Sequence, residues 1–383
     1  MTAHAPPLLA RKHFFIAAFS FFGILVSSGC GVSGDFRPNA AGKEGEILVV
    51  IDSSHWNGPI GAAIKETVGA YVGTLPAPER EFDLRVVELS SERDLDFARK
   101  QKNVIFVAPL SDSTNEAQYI KNVFDEAAQQ AILRGDGAVI SRENLWRRGQ
   151  QVFYITGADT AAVVDVIQRR GDELTRSFNQ ITRQRMAEDM FEKGRQRGIE
   201  ERLMEKHGFA VNAQHDYQIA IDTTRFVWMR RVLSDTWRSL VVYYVENADP
   251  GKLAPSWIYS TRDSLSRMYL QGNMGGWVEI DARRPLETEN IDFLGRYGFE
   301  TRGLWHMVGE RDGEPVEFGM GGPFVMYSFY DQATARIYMI DGMVFAPGFD
   351  KREFLRQLEV IAHTFRTRRD TAPKDVEVAS QDD

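Results

Sequence analysis

Cysteine is nearly absent. Cys30 is the single one in 383 residues, which excludes an intramolecular disulfide and leaves one thiol to account for. A basic excess is missing as well: the formal charge is −8, with no basic block, and a net acidic protein of that kind is a poor nucleic-acid binder. Beyond the first thirty residues no apolar run approaches the ~20 residues of a membrane-spanning helix. The sequence also lacks a Gly-x-Ser-x-Gly elbow, a His-Glu-x-x-His pair and a phosphate-binding Gly-Lys-Ser/Thr loop. Its seven His are scattered singly, so they offer no compact metal-ligand set. No catalytic residue, metal or cofactor is therefore expected, and His306 and His363 read as core or surface residues.

What is present begins at the N-terminus. Arg11, Lys12 and His13 precede the uncharged apolar run Phe14 to Val26, which ends in Ser27-Ser28-Gly29-Cys30. A positive flank, a run of this length and small residues before a Cys are the pattern of a lipoprotein signal peptide, although Ser27 stands where Leu is commonest. The expectation is cleavage of residues 1–29 and lipidation of Cys30, which also explains why one thiol is kept. An ordinary secretory signal or a short anchor is the alternative. Gly31 rather than Asp follows the Cys, so the expected address is the cell envelope, at the outer membrane and facing the periplasm, with acyl chains on Cys30 as the membrane contact.

The remaining chain has the composition of an ordinary globular protein, 43% hydrophobic and 26% charged, and is long enough for about two domains. Residues 30–46 are rich in small and turn residues and read as the lipidated Cys and a tether. Ile47-Leu48-Val49-Val50-Ile51 reads as a strand buried on both faces, Asp52 to Gly58 as a loop, and Pro59 onward as a helix reaching about Gly73. Strands over 82–89, 104–107, 138–140 and 152–155 alternate with helices over 92–100 and 116–133, giving a layered α/β domain over 47–158. Asp159 to Lys206 reads as one long helix or two joined ones, within a connector over 159–208. Gly171, Gly194 and Gly198 are its possible bends and Gly208 its stop. Its arginines interleave with acids, which predicts a solvated, salt-bridged surface.

After Phe209 strands dominate. They are expected over 217–222, 225–232, 240–246, 299–307, 324–330 and 336–340, with helices over 256–270 and 351–365. This gives an antiparallel α+β domain over 209–369, its sheet covered on one side and closed by a helix. Residues 370–383 read as a disordered acidic tail. The predicted class is α+β.

Several short motifs carry a resemblance. They are Ile47 to Ile51 followed by Trp56-Asn57-Gly58; Phe226-Val227-Trp228-Met229-Arg230; Thr261-Arg262-Asp263; Glu300-Thr301-Arg302-Gly303-Leu304-Trp305; Met320-Gly321-Gly322-Pro323-Phe324; and Gly342 to Pro347 leading into Lys351-Arg352. Over nearly the whole mature chain the sequence resembles bacterial envelope lipoproteins of domain of unknown function 4837. The resemblance supports the boundaries and the address and implies no activity. The layout of the second half is also similar to PsbP-like domains, a likeness of fold alone.

Two groups of residues are candidate ligand contacts. Asp52, Ser53, His55 and Trp56 follow the first strand, where α/β sheets bind ligands, and backbone amides at a helix start favour an anion. Trp56 covering a core edge is the structural alternative. The second group is Arg230, Arg262, Asp263, Glu300 and Arg302, with Trp228, Trp305 and Gly321-Gly322-Pro323. Its alternative is buried ion pairs, Glu300 with Arg302 and Arg262 with Asp263, and a turn at Gly321-Gly322. The expected function is non-catalytic binding or scaffolding of an envelope partner, a protein or peptidoglycan, through the second sheet. An envelope hydrolase or small-ligand receptor using 52–58 is the alternative.

Overall fold

The computed structural model describes residues 35–135, 137–272 and 275–371. The expected signal peptide 1–29, Cys30 and the last residues of the expected acidic tail, 372–383, lie outside the described residues. Contacts divide the chain between Phe36 and Arg37, and the description below concerns the part from Arg37 onward.

The apolar run after Gly45 forms β1 (Glu46–Val50), and its alternating side chains enter two different cores. Ile47, Val49 and Ile51 face one, Leu48 and Val50 the other. Between β1 and β2 (Asp83–Val87) come α1 (Ser53–Trp56) and α2 (Pro59–Glu66); α3 (Glu92–Ala98) leads to β3 (Asn103–Val107). Then follow α4 (Asn115–Lys121), α5 (Glu126–Leu133), β4 (Ala138–Glu143) and β5 (Gln151–Thr156). The sheet order is β2-β1-β3-β5-β4, parallel except for β4 against β5. Parallel pairs need crossover connections, and these cover both faces.

Three local expectations are corrected here. The loop after β1 contains the helical turn α1, because the Asp52 side chain caps it by accepting from Ser54 N. The helix from Pro59 stops at Glu66 instead of continuing to Gly73: the Thr67 hydroxyl donates to the Ala63 carbonyl at 2.9 Å and the Thr67 backbone leaves helical angles. The helix expected over 116–133 is two helices, because Asp125 caps a new one through Ala128 N.

The long helical stretch is α6 (Thr160–Glu192) and α7 (Arg197–His207). Gly194 (φ +123°) lies at the break and Gly208 (φ +77°) caps the end, both conformations that glycine adopts without a Cβ clash. Gly171 is no bend. It lies inside α6, where a Cβ would come within 2.6 Å of Thr67 Cγ2, so it permits close approach to the end of α2. The first part of α6 packs Val163, Val166, Ile167, Leu174 and Phe178 on the first sheet, while Met186 and Met190 join the core of the second. Arg169–Asp165, Arg170–Glu173 and Lys193–Asp189 pairs lie on its exposed side.

The second half comprises β6 (Phe209–Ala210), β7 (Gln218–Asp222), β8 (Phe226–Val232), β9 (Trp237–Val245), α8 (Pro255–Tyr269), β10 (Trp277–Ile280) and β11 (Glu287–Asp292). After them come β12 (Tyr297–Arg311), β13 (Glu314–Asp331), β14 (Arg336–Phe345), α9 (Arg352–Ala362), β15 (Arg366–Thr367) and the turn α10 (Arg368–Thr371). The sheet order is β10-β12-β13-β14-β9-β8-β7, with β11 also on β12. Both faces carry helices, which corrects the expectation of one covered side. α9, α6 and α7 share the core of Val227, Met229, Val242, Tyr327 and Ile340, whereas Ile258 of α8 packs with Phe226, Phe324, Met326 and Met339 on the opposite face. Gly321-Gly322-Pro323 is not a turn but lies inside β13, facing His306 to Leu304 of β12. At Gly322 a Cβ would meet the Val344 carbonyl oxygen at 2.0 Å, so the close strand approach requires glycine.

The expected tether is shorter than predicted. Ala40 N donates to the Arg148 carbonyl at 2.9 Å and Ala41 N to that of Lys100 at 2.7 Å, while Glu44 takes the buried Arg185 at 2.7 Å. Asp370, the first residue of the expected tail, pairs with Arg296 at 2.7 Å.

Candidate binding site

Strand alternation decides which residues of the second sheet share a surface. On β8, Trp228, Arg230 and Val232 lie on the face toward α8. The register then builds a row across four strands: Gln218 beside Arg230, Arg230 beside Ser239, Ser239 beside Met343. A second row runs parallel to it, Val232 beside Trp237 and Trp237 beside Phe345, with Trp305 opposite Gly322 further along. Beyond the end of α8 these rows form the floor of a groove of about 620 Å³, walled by Leu270, Val278, Met307, Phe318 and Met320.

The groove has two chemically different ends. Toward β7, β8 and β9 stand the polar Asp216, Gln218, Arg230 and Ser239 beside Trp228, Val232 and Trp237; toward β12, β13 and β14 the lining is apolar throughout, with Trp305, Met307, Met320, Met343 and Phe345. Arg230 is exposed, lies 5.4 Å from the Trp228 ring centre, and has no ion-pair partner among the described residues. Trp228 Nε1 is buried with no hydrogen-bond partner. Asp216 turns one oxygen to Arg231 and leaves the other buried and unpartnered. Trp305 is fixed by donating Nε1 to the Val344 carbonyl at 3.2 Å.

The second group of candidate residues is thus divided among three places. Arg230 lines the groove. Arg262, 2% exposed, points from α8 onto the sheet, with Nε 3.0 Å from Asp341 Oδ2 and its guanidinium 3.9 Å from the Phe324 ring centre. Asp263 turns away from it, accepting from Ile280 N at 2.9 Å, with the nearest oxygen 3.9 Å from Arg262. The partner of Arg262 is therefore Asp341 rather than its neighbour, because successive helix residues face different directions. Burial raises the Asp341 carboxyl, and Arg262 opposes that rise.

Glu300 and Arg302 occupy the opposite face of the sheet. Arg302 donates Nε to Glu300 at 2.5 Å and a terminal nitrogen to Glu359 of α9 at 2.7 Å, while Arg183 of α6 stands 3.9 Å from the other Glu359 oxygen. Burial pushes the Glu359 carboxyl up, but the Arg302 and Arg183 guanidiniums outweigh it and hold the group at about 2. His363 donates Nδ1 to the Glu359 carbonyl at 2.8 Å, and burial together with Arg183 moves its pKa down. Glu300, Arg302, Arg183 and His363 floor a polar cleft of about 790 Å³ between the two halves, also lined from α2, α6 and β11. The Tyr327 hydroxyl lies at this floor without a partner.

The first candidate group sits where the chain leaves β1 for β2 on one side and returns to β3 on the other. Ligands favour that crevice in such sheets. Here its polar groups are bonded to each other. Asp52 accepts from Ser54 N at 2.8 Å and from the Ser54 hydroxyl, and His55 Nε2 meets Asp112 Oδ2 at 2.5 Å. Among the described residues His55 makes no hydrogen bond to Asp52 or Ser53. Ser53 is exposed, and its carbonyl accepts from Asn57. Trp56 packs on the first core, with Lys65 Nζ 4.1 Å from its ring centre.

Sequence reasoning missed Trp237, Met307, Met343 and Phe345 in the groove, Arg183 and Tyr327 in the cleft, and Glu359, the ion partner of the cleft arginines. Met307 carried a signal, an apolar position two beyond Trp305 on the strand expected over 299–307, whereas Trp237, Met343 and Phe345 lie outside the strands expected over 240–246 and 336–340, which run longer in the structure. Glu359 follows Leu358 in the helix expected over 351–365, and only the arrival of Arg302 from another strand explains it.

Residues 196–364 match the family model described as Domain of unknown function (DUF4837), and residues 40–191 match a second, described as Domain of unknown function (DUF8532). The first model covers the motifs from Phe226 onward, whereas Ile47 to Gly58 falls within the second, so the resemblance to the first spans the C-terminal half rather than the whole mature chain. No curated protein matches. The solved structure of a mutant of "Protein Mog1" is similar at 12% identity, covering 42% of this chain and 90% of that one, with a TM-score of 0.27.

Proposed function

We propose that this chain is a lipid-anchored protein of the cell envelope, attached through Cys30 at the periplasmic side of the outer membrane, that binds a ligand without transforming it. The ligand is an elongated amphipathic molecule with an apolar body and one anionic end, held in the groove of the second sheet. One observation carries this reading: the two-ended lining, with Arg230 unpaired at one end and Trp305, Met307, Met343 and Phe345 at the other.

The groove's 620 Å³ falls within the ~300–1,000 Å³ usual for small-molecule sites. Methionine and aromatic side chains present soft, adaptable apolar surface. A guanidinium matches a carboxylate or phosphate with two parallel donors. The described lining residues include no His, Cys or Lys, which favours binding over nucleophilic chemistry. For the anchor, support comes from the N-terminal pattern alone; among the described residues no helix is long and apolar enough to cross a membrane.

Titration with dansyl-undecanoate, followed by energy transfer from tryptophan, tests the groove. Saturable binding that weakens in Arg230→Gln is expected, and absence of saturation overturns the reading. Metabolic labelling with a palmitate analogue tests the anchor: label lost and protein released in Cys30→Ser is expected, and unchanged membrane retention overturns it.

A further inference from the structure

The polar cleft between the halves lies on the other side of the second sheet from the groove and takes no part in the function proposed above. Its mouth is acidic. Glu66 at the end of α2, Asp172 on α6 and Glu287, Glu289 and Asp292 on β11 line it, and none has an ion-pair partner among the described residues. The one lining guanidinium in the same condition is that of Arg176. Such an excess repels anions and favours a cation.

The floor differs from the mouth. There Glu300 is paired with Arg302, and Arg302 and Arg183 also face the buried carboxylate of Glu359 behind the lining, so the floor is close to neutral. What it offers instead is the Tyr327 side chain, 1% exposed, whose hydroxyl has no hydrogen-bond partner. A buried hydroxyl left unpaired is destabilising, and an N–H donor entering the cleft would remove that cost.

The distribution of the acids selects the kind of cation. Among the described residues no three His, Cys, Asp or Glu side chains come close enough to hold a metal ion. Glu287 and Glu289, two apart on one strand, project to the same side about 7 Å apart. Charge spread in this way suits a molecule that carries positive charges at intervals along a flexible chain.

We propose that the cleft between the two halves binds a linear aliphatic polyamine, its inner ammonium donating to the Tyr327 hydroxyl and its outer ammonium groups facing Glu287, Glu289 and Asp172. Calorimetric titration of the full chain with spermidine at physiological ionic strength tests this. Saturable one-site binding is expected. Glu287→Gln with Glu289→Gln weakens it about tenfold, the loss of two exposed charge contacts. Tyr327→Phe, which removes only the hydroxyl, weakens it about fivefold, with an unchanged melting temperature showing that the fold is kept. Absence of saturable binding overturns the proposal. So does binding that both variants retain, or equal displacement by magnesium at matched charge, which would mark simple screening. Arg230→Gln leaves spermidine binding unchanged, so failure here and failure of the groove reading are separate results.

Discussion

The two large sheets among the described residues are both sandwiched by helices, yet they finish differently. In the parallel sheet every residue of β3 and β5 is buried, and alternate side chains feed two closed cores. In the antiparallel sheet one face is covered by α6, α7 and α9, while on the other α8 stops short and leaves the groove. The cause is connectivity. Parallel neighbours require crossovers that lie on the faces, whereas hairpin neighbours require only a turn, so part of an antiparallel face can stay open. Polar groups follow the same division: Asp52, Ser54, His55 and Asp112 satisfy one another at the end of the parallel sheet, while Arg230 and Trp228 Nε1 remain unpaired in the groove.

The largest expected effect tests closure itself. Phe106 is fully buried and packs against Tyr119, Trp146 and Tyr154, so Phe106→Ala should cost about 3–5 kcal/mol. Met320, half-buried at the groove wall, should cost under about 1 kcal/mol as Met320→Ala. Urea midpoints measure both, and equal losses would break the comparison.

The next effect concerns the covered face of the second sheet. Glu359→Gln leaves Arg302 and Arg183 without their shared carboxylate, and removing one partner of a buried pair costs about 3–5 kcal/mol, less where water reaches the cleft. The sign of the pH dependence follows from the depressed carboxyl. Its ordinary value is 4.5 and its folded value about 2, so the stabilisation is complete above 4.5 and is lost as pH falls toward 2. Acid unfolding of the wild-type protein should steepen across that window, and the Gln variant should lack that component. An identical acid profile in both would show that Glu359 does not hold this face together.

These contrasts were unequally legible in the sequence. Ile47 to Ile51 announced a strand buried on both sides because it is apolar at every position, and the stripe of Leu355, Leu358, Ile361 and Phe365 announced the closing helix. The outer strands Trp277–Ile280 and Glu287–Asp292 did not, since edge strands with polar residues lack the alternation that marks a core. Period two along β8 puts Arg230 and Trp228 on one face, but it assigns a residue to a face and not to a partner. Arg262 found Asp341, Arg302 found Glu359 and His55 found Asp112, each across a large sequence separation. Local spacing offered Asp263, Glu300 and Ser53 as the obvious neighbours; of these only Glu300 is a hydrogen-bond partner.

At the groove, Arg230→Gln should weaken an anionic amphiphile about tenfold, the worth of one charge-assisted contact, with stability within about 0.5 kcal/mol of wild type because the residue is exposed. Fluorescence titration and urea unfolding of the same sample separate the two quantities. A drop in stability without a change in affinity would make Arg230 a structural residue and close the groove as a site.

The smallest effect sharpens the other side of the comparison. His55 and Asp112 join the loops that follow β1 and β3, one from each side of the point where strand order reverses. If that pair is structural, His55→Ala costs about 1 kcal/mol, a partly exposed hydrogen bond, and Asp112→Asn costs no more because the amide oxygen can still accept from the ring. Neither substitution should alter dansyl-undecanoate binding, since the groove is built from the other sheet. A site of chemistry would behave differently, being stabilised by removal of a strained or desolvated polar group while losing its ligand. Thermal melts of both variants, read beside groove affinity, distinguish a clasp between two loops from a crevice still awaiting its ligand.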